Sequence, residues 1–346
     1  MSRLGHAFLL FLILSPAANS LVLGQPSAAT PTNPALDRLE REFMRFSKQC
    51  GGTLGVGAVH LESGRQAFFN GRERFPMASS YKIPIAVQLL TRVEQGHLSL
   101  DRMVELRLKD LHPGSGTLTP LFSKPGVSLS VRNLLELMLL ISDNSATDIL
   151  LRLSGGPEAV TSRLRGLGIK EMDISRPTVQ LIADWAGYSL PPEDEWTPEL
   201  FTKLYEGTTS ESRKVSADRF DGDSRDTSTP EAMVQLLQLV YAGSWGKPAT
   251  RDLLMDILTR CQTGEARLKG FLPLEVPVAH KTGTIGGTAN DVGIITLPDG
   301  GGHVAVAAFV KSSNKPVPER ERAIAHVSRS VYDYFLFQTA EPDSRR

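Results

Sequence analysis

Leu36, Leu39, Phe43 and Phe46 recur at helical spacing after Asn33 and Pro34, and Gly51-Gly52 ends the run. Asn33 can cap a helix there, and Pro34 suits a first turn in which a missing N–H loses no intrahelical partner. A helix from residue 34 to about 50 is predicted. Residues 53–61 and 66–70 then read as β-strands, with Glu62-Ser63-Gly64-Arg65 between them as a hairpin turn. From Ser79 to about Leu167 the period is helical again: Leu134, Leu137, Met138 and Ile141 form one stripe and Ser130 is placed as its cap. Strand patterns return at 278–281, 291–297 and 303–311, the last two joined by Asp299-Gly300-Gly301-Gly302. Ile324, Val327, Val331 and Phe335 mark a closing helix.

Strands from both ends of the chain around a helical middle imply an α+β fold. We expect one antiparallel five-stranded sheet, flanked by the terminal helices, with an all-helical subdomain inserted and a cleft between the two. The sheet subdomain would take about 33–78 and 232–339, and the helical subdomain about 79–231. Residues 188–224, rich in Ser, Asp, Glu and Pro, read as a surface excursion with one short helix around 198–205. Before the first helix, Arg3 and His6 precede the apolar run 7–14, and Ala17, Ala18 and Ser20 follow it. That is the pattern of a secretory signal at 1–20, and the run is far shorter than the roughly 20 residues that span a bilayer. A lead-in at 21–32, a catalytic domain at 33–339 and a tail at 340–346 complete the expected layout, with a periplasmic or secreted product and no membrane span once the signal is cut.

Charge narrows the partners. With 38 basic and 38 acidic residues the chain has no net field to hold nucleic acid or an anionic membrane, so a small molecule is the expected partner and a monomer the expected state. The seven His show no ligand spacing and no phosphate loop is present, so no metal or other cofactor is expected. Cys50 and Cys261 are too few for a scaffold, and one bridge or two free thiols both remain open.

Chemistry enters at Ser79-Ser80-Tyr81-Lys82. If Ser79 begins a helix, its hydroxyl and the Lys82 amine lie on one face, and a partly desolvated lysine can take the serine proton. Pro84 fits an early helical position, and the helix start with the Ser79 amide would favour an oxyanion. Such a pair alone is common on solvated helices. Here it has company. Ser142-Asp143-Asn144 follows the stripe ending at Ile141, on a turn where a hydroxyl and an amide can enter a cleft. Lys281-Thr282-Gly283-Thr284 closes a β-rich run, with Gly283 bare where a substrate must lie against the strand.

This ordered set resembles the class A β-lactamases and penicillin-binding proteins, and the likeness runs from about Leu36 to Phe337. The resemblance implies that Ser79 is the acylated nucleophile, Lys82 its general base and Ser142 a proton shuttle to the leaving nitrogen. It further implies that Asn144 holds the acyl side-chain amide, while Lys281 supports Ser142 and the substrate carboxylate. Thr282, Gly283 and Thr284 would line the substrate, with the amides of Ser79 and Thr284 as oxyanion hole. Arg267, fourteen residues before Lys281, resembles an arginine that binds the substrate carboxylate in some members.

One position departs from the pattern. Counted from Leu167-Gly168, Arg176 matches the loop arginine, and the glutamate that usually follows two residues later is Thr178, which cannot act as a carboxylate base. Trp196-Thr197-Pro198-Glu199-Leu200 echoes the loop with threonine again in that place. Asp184, Asp194, Glu195 and Glu199 are the candidates to fold back as a replacement. Two substrate classes therefore stand, a β-lactam or a peptidoglycan peptide. With them stand three outcomes: a β-lactamase, a D,D-peptidase, and a β-lactam-binding protein that stays acylated.

Overall fold

Helix α1 (Pro34–Gln49) opens the chain as its spacing predicts, burying Leu39, Phe43 and Phe46 and stopping at Gly51, whose φ of 63° glycine takes without strain. The computed structural model describes residues 34–124 and 126–338. The expected signal at 1–20, the lead-in at 21–32, the Asn33 cap and the tail at 340–346 lie outside those residues.

Strands β1 (Thr53–His60) and β2 (Gln66–Phe69) pair antiparallel across the turn read at 62–65, with Val56 opposite Phe69. A short strand β3 (Phe75–Pro76) and a 3-10 turn (Ala78–Tyr81) lead into α2 (Lys82–Glu94). The middle of the chain carries β4 (Met103–Glu105), α3 (Leu118–Leu121), β5 (Ser128–Ser130), α4 (Val131–Leu140), α5 (Asn144–Leu153) and α6 (Pro157–Gly166). Next come α7 (Thr178–Ala186), α8 (Pro198–Glu206), α9 (Ser210–Asp221), β6 (Thr227–Ser228), α10 (Pro230–Ala242) and α11 (Pro248–Thr259). The chain closes with β7 (Val278–Ile285), β8 (Thr288–Thr296), β9 (His303–Lys311) and α12 (Val317–Phe337).

The five-stranded antiparallel sheet has the order β2-β1-β9-β8-β7, so strands from the two ends of the chain meet at its centre. Strand β9 shows how one sheet serves two cores. Val304, Val306, Ala308 and Val310 pack with α1 and α12, while Ala305, Ala307 and Phe309 face the helical layer. On β1, Gly55 and Gly57 let that layer come close, since a Cβ there would lie 2.3 Å from Phe75 Cε2 or 2.9 Å from Val234 Cγ2. Strand β7 ends the sheet, and its backbone runs against the 3-10 turn at 78–81.

Two details differ from the sequence reading. The inserted layer is not all-helical, because β4 and β5 form a ribbon with Met103 opposite Ser130, strands too short to show alternation. The excursion at 188–224 holds two helices, α8 and α9, rather than one; Phe220 is the only buried residue of α9, so no apolar stripe announced it. Cys50 and Cys261 are both buried free thiols. Among the described residues, no helix is long and apolar enough to cross a membrane.

The excursion is tied at its neck. Arg176 Nε donates to Asp226 Oδ2 at 2.7 Å, and its Nη1 reaches Asp184 at 2.6 Å and Asp223 at 3.1 Å. Asp226 also accepts from the amides of Ser175 and Arg176, and Arg176 lies over the Phe220 ring. With Arg176 4% and Asp226 2% exposed, removing one partner strands the other charge. Urea unfolding of Arg176→Ala should show a loss of about 3 to 5 kcal/mol, part of which returns when Asp226→Asn is added; an unchanged midpoint would show that the neck carries no stability.

Candidate active site

The chain enters α2 through a strained residue. Ala78 sits in the left-handed region at φ 44°, turning the backbone so that Ser79 and Ser80 form the 3-10 turn and Lys82 starts the regular helix. Ser79 is half-buried, whereas Lys82 has no exposed surface at all. Pro84 occupies the first turn of α2, where its missing N–H leaves no gap.

The Ser142-Asp143-Asn144 turn lies between α4 and α5, as expected, with Ser142 at φ 62°. Asp143 holds that shape: one carboxylate oxygen caps α5 at Ala146 N, 2.9 Å, and the other accepts from Thr117 N at 2.7 Å and Leu118 N at 2.9 Å. The turn aims its neighbours at Lys82. Lys82 Nζ donates to Ser142 O at 2.7 Å, Ser142 Oγ at 3.0 Å and Asn144 Oδ1 at 2.9 Å, and not to Ser79 Oγ. Asn144 is fixed in turn by its Nδ2 on Pro113 O, 2.9 Å.

Burial, then the positive charge of Lys281, hold the Lys82 amine well below the usual lysine range, against the opposing pull of Asp143 and Asp148. Such an amine gives up its proton more readily than a solvated lysine does. Lys281 is equally buried, and burial lowers it to about 8. Its Nζ hydrogen bond goes to Thr282 O at 3.1 Å rather than to Ser142.

Gly283 is where strand β7 comes against the backbone of Ser79. A Cβ there would lie 2.4 Å from Met77 O and 3.1 Å from Ser79 N and Ser80 N, so only glycine brings β7 this near. Thr282 Oγ1 pairs with Thr263 Oγ1 at 2.6 Å, and the exposed Thr284 receives Arg267 Nη2 on its hydroxyl, 2.6 Å. Arg267 is not a solvated surface arginine. It is buried, donating to Gly283 O at 3.0 Å, Asn290 O at 2.7 Å and Glu321 at 3.1 Å, and it meets the surface through the Thr284 hydroxyl.

Thr178, the first residue of α7, lies beside the site with its Oγ1 2.5 Å from the Tyr81 hydroxyl. Its amide and that of Val179 are held by Asp148 at 2.6 and 2.9 Å, and Asp148 also pairs with His112 Nδ1 at 2.7 Å. Burial raises the Asp148 carboxyl, but His112 and the two amides outweigh it and keep the group below its ordinary value. Tyr81, His112 and Asp148 were missed from the sequence. The readable signal was Asp148 itself, an acid one turn after Asn144 on the same helix face. None of the acids considered as substitutes takes the empty role: Asp184 is bound by Arg176 and Arg225, Asp194 by Lys109, and Glu195 and Glu199 are exposed.

A hydroxyl at a helix start, an uncharged-capable amine one turn on, and an amide-lined edge strand pressed against both are the requirements of acyl transfer to serine, which defines the class. The family follows from comparison. The model of the beta-lactamase enzyme family matches residues 38–335, and the chain belongs to that family, among its class A serine members. β-Lactamase L2 of Stenotrophomonas maltophilia is 31% identical over 310 residues, covering 88% of each chain. The extended-spectrum β-lactamase PER-1 of Pseudomonas aeruginosa is 31% identical over 327 residues, 92% of this chain and 94% of its own. Among solved structures, a β-lactamase from Chitinophaga pinensis superposes with a TM-score of 0.72 at 30% identity, covering 86% of this chain and 98% of its own. An ancestral class A β-lactamase gives 0.69 at 32%, covering 85% and 99%.

The two lysines predict a bell-shaped pH profile for acylation. The rate should rise as Lys82 loses its proton and fall near pH 8 as Lys281 loses its charge. Lys281→Arg, whose charge does not titrate in this range, should retain the rising limb and lose the falling one; a falling limb unmoved by that change would separate it from Lys281.

Proposed function

We propose that the protein is a serine β-lactamase that opens β-lactam rings through an acyl-enzyme on Ser79. The observation that carries this reading is the buried, low-pKa Lys82 amine one turn from Ser79, hydrogen-bonded to the Ser142 hydroxyl. Ser79 Oγ attacks the lactam carbonyl carbon and its proton passes to Lys82 Nζ. The oxyanion forms between the amides of Ser79 and Thr284, donors of a kind worth about 3 to 4 kcal/mol each. The C–N bond then breaks as Ser142 Oγ protonates the ring nitrogen and regains a proton from the Lys82 ammonium. On this reading the second N–H of Asn144 Nδ2, whose first goes to Pro113 O, meets the acyl group, and Lys281 meets the substrate carboxylate.

Release of the product is where this chain differs. The two carboxylates whose fields reach Lys82 are Asp143 and Asp148, and both are committed to backbone amides. We assign the second step to Lys82 as well: water attacks the ester carbonyl, gives a proton to the neutral amine, and Ser79 leaves with that proton. Without a carboxylate base this step is slow relative to acylation. A second reading, acyl transfer from a peptidoglycan peptide in the manner of a D,D-peptidase, is favoured by the same observation of Thr178 in place of an acid. The signal pattern at 1–20 supports export to the periplasm or medium.

Intact mass and absorbance, followed together with a chromogenic cephalosporin, should show a burst of acylation followed by slow turnover. Ser79→Ala should abolish both, and an adduct surviving that change would remove Ser79 from the nucleophile role. Thr178→Glu should accelerate deacylation by about tenfold or more, since a positioned base contributes on the order of a hundredfold or above. An unchanged rate would show that residue 178 does not face the attacking water.

A further inference from the structure

Two walls run away from Ser79 and meet. Strand β7 passes Ser79 N at Gly283 and turns at Gly286, three residues and so about 10 Å further along the strand. Helix α7 starts beside Tyr81 at Thr178 and carries Ile182 and Trp185 on the same face, four and seven residues on, so Trp185 is likewise about 10 Å from its start. Ile182 lies next to Asn144: a Cβ on Gly114 would be 2.6 Å from Asn144 Nδ2 and 3.3 Å from Ile182 Cδ1. At the end of α7, Trp185 touches the β7–β8 turn so closely that a Cβ on Gly286 would lie 2.6 Å from the indole Nε1, which is buried and has no hydrogen-bond partner.

Both sides of this contact are braced. Arg320 of α12 donates to Gly286 O at 2.7 Å and Thr288 O at 3.3 Å, fixing the turn from behind. On the other side α9 packs so tightly against the end of α7 that a Cβ on Gly187 would lie 2.4 Å from Ser216 Oγ, and Asp221 at the end of α9 shares a hydrogen bond with Ser312 after β9. The excursion therefore props α7 toward the sheet.

We propose that Trp185 is the specificity-determining residue of the cleft: clasped on Gly286, it closes the end that receives the acyl substituent and excludes β-lactams whose substituent is branched and bulky. The direction of the substrate rests on the reading of Ser79 as the acylated nucleophile. With the carboxylate at Lys281 and the carbonyl at Ser79 and Thr284, the substituent continues along β7 toward Gly286. There it meets the indole.

The test compares second-order acylation rate constants, read by intact mass, for a penicillin carrying a phenylacetyl substituent and one carrying a 2,6-dimethoxybenzoyl substituent. Trp185→Ala should raise the rate for the bulky compound by about tenfold and leave the compact one within about twofold, the scale on which pocket shape discriminates. Trp185→Phe, a milder change that preserves an aromatic ring on α7, should raise the bulky rate by about threefold. A bulky-to-compact ratio unmoved in both variants, or equal gains for both compounds, overturns the clasp. If the wild-type protein neither gains mass from nor consumes either penicillin, the Ser79 reading fails and the clasp fails with it; wild-type acylation with an unmoved ratio removes the clasp alone.

Discussion

A lysine amine held out of water with no carboxylate among its hydrogen-bond partners is the constraint around which the site is built. Lys82 Nζ has Ser142 O, Ser142 Oγ and Asn144 Oδ1 as partners, all neutral, and a second buried lysine in the same field. Burying an ammonium without a counter-ion is costly, and the cost falls when the group gives up its proton. The environment therefore favours the neutral amine. It also requires rigid surroundings, which explains why the Ser142 turn is held in a strained φ by the three amides on Asp143.

The acids near the site serve architecture. Asp143 caps α5 and ties the 115–118 segment to it, and Asp148 takes the first two amides of α7 while paired with His112. A helix starting on a buried carboxylate is well anchored, because orphan N–H donors and the positive end of the helix dipole are satisfied together. This anchoring lets α7 serve as a wall. Its Thr178, Ile182 and Trp185 share one face, with the Thr178 hydroxyl held by Tyr81 and the Trp185 indole against Gly286.

The five sheet strands, both terminal helices and the stripe of α4 were legible in the sequence because each is long enough for a period to show. The motif residues were legible too, since Ser79 with Lys82, the Ser142 turn and the Lys281 strand keep their local spacing. The ribbon of β4 and β5 was not, at three residues a strand. Helix α9 was hidden for another reason: it is stabilised by a Thr209 capping box and by its contact with α7, not by an apolar stripe of its own.

By itself the sequence determined what neighbouring residues place together: a serine and a lysine one helical turn apart, a turn carrying hydroxyl and amide, a glycine in a strand, and a threonine at position 178. Tertiary structure alone decided which charges share a field, that Arg267 is buried against the strand and donates to Thr284, and that Trp185 meets Gly286. The reason is physical. Local spacing fixes only what lies within a turn or a strand repeat, whereas burial, pKa and the width of a cleft are set by segments a hundred residues apart coming together.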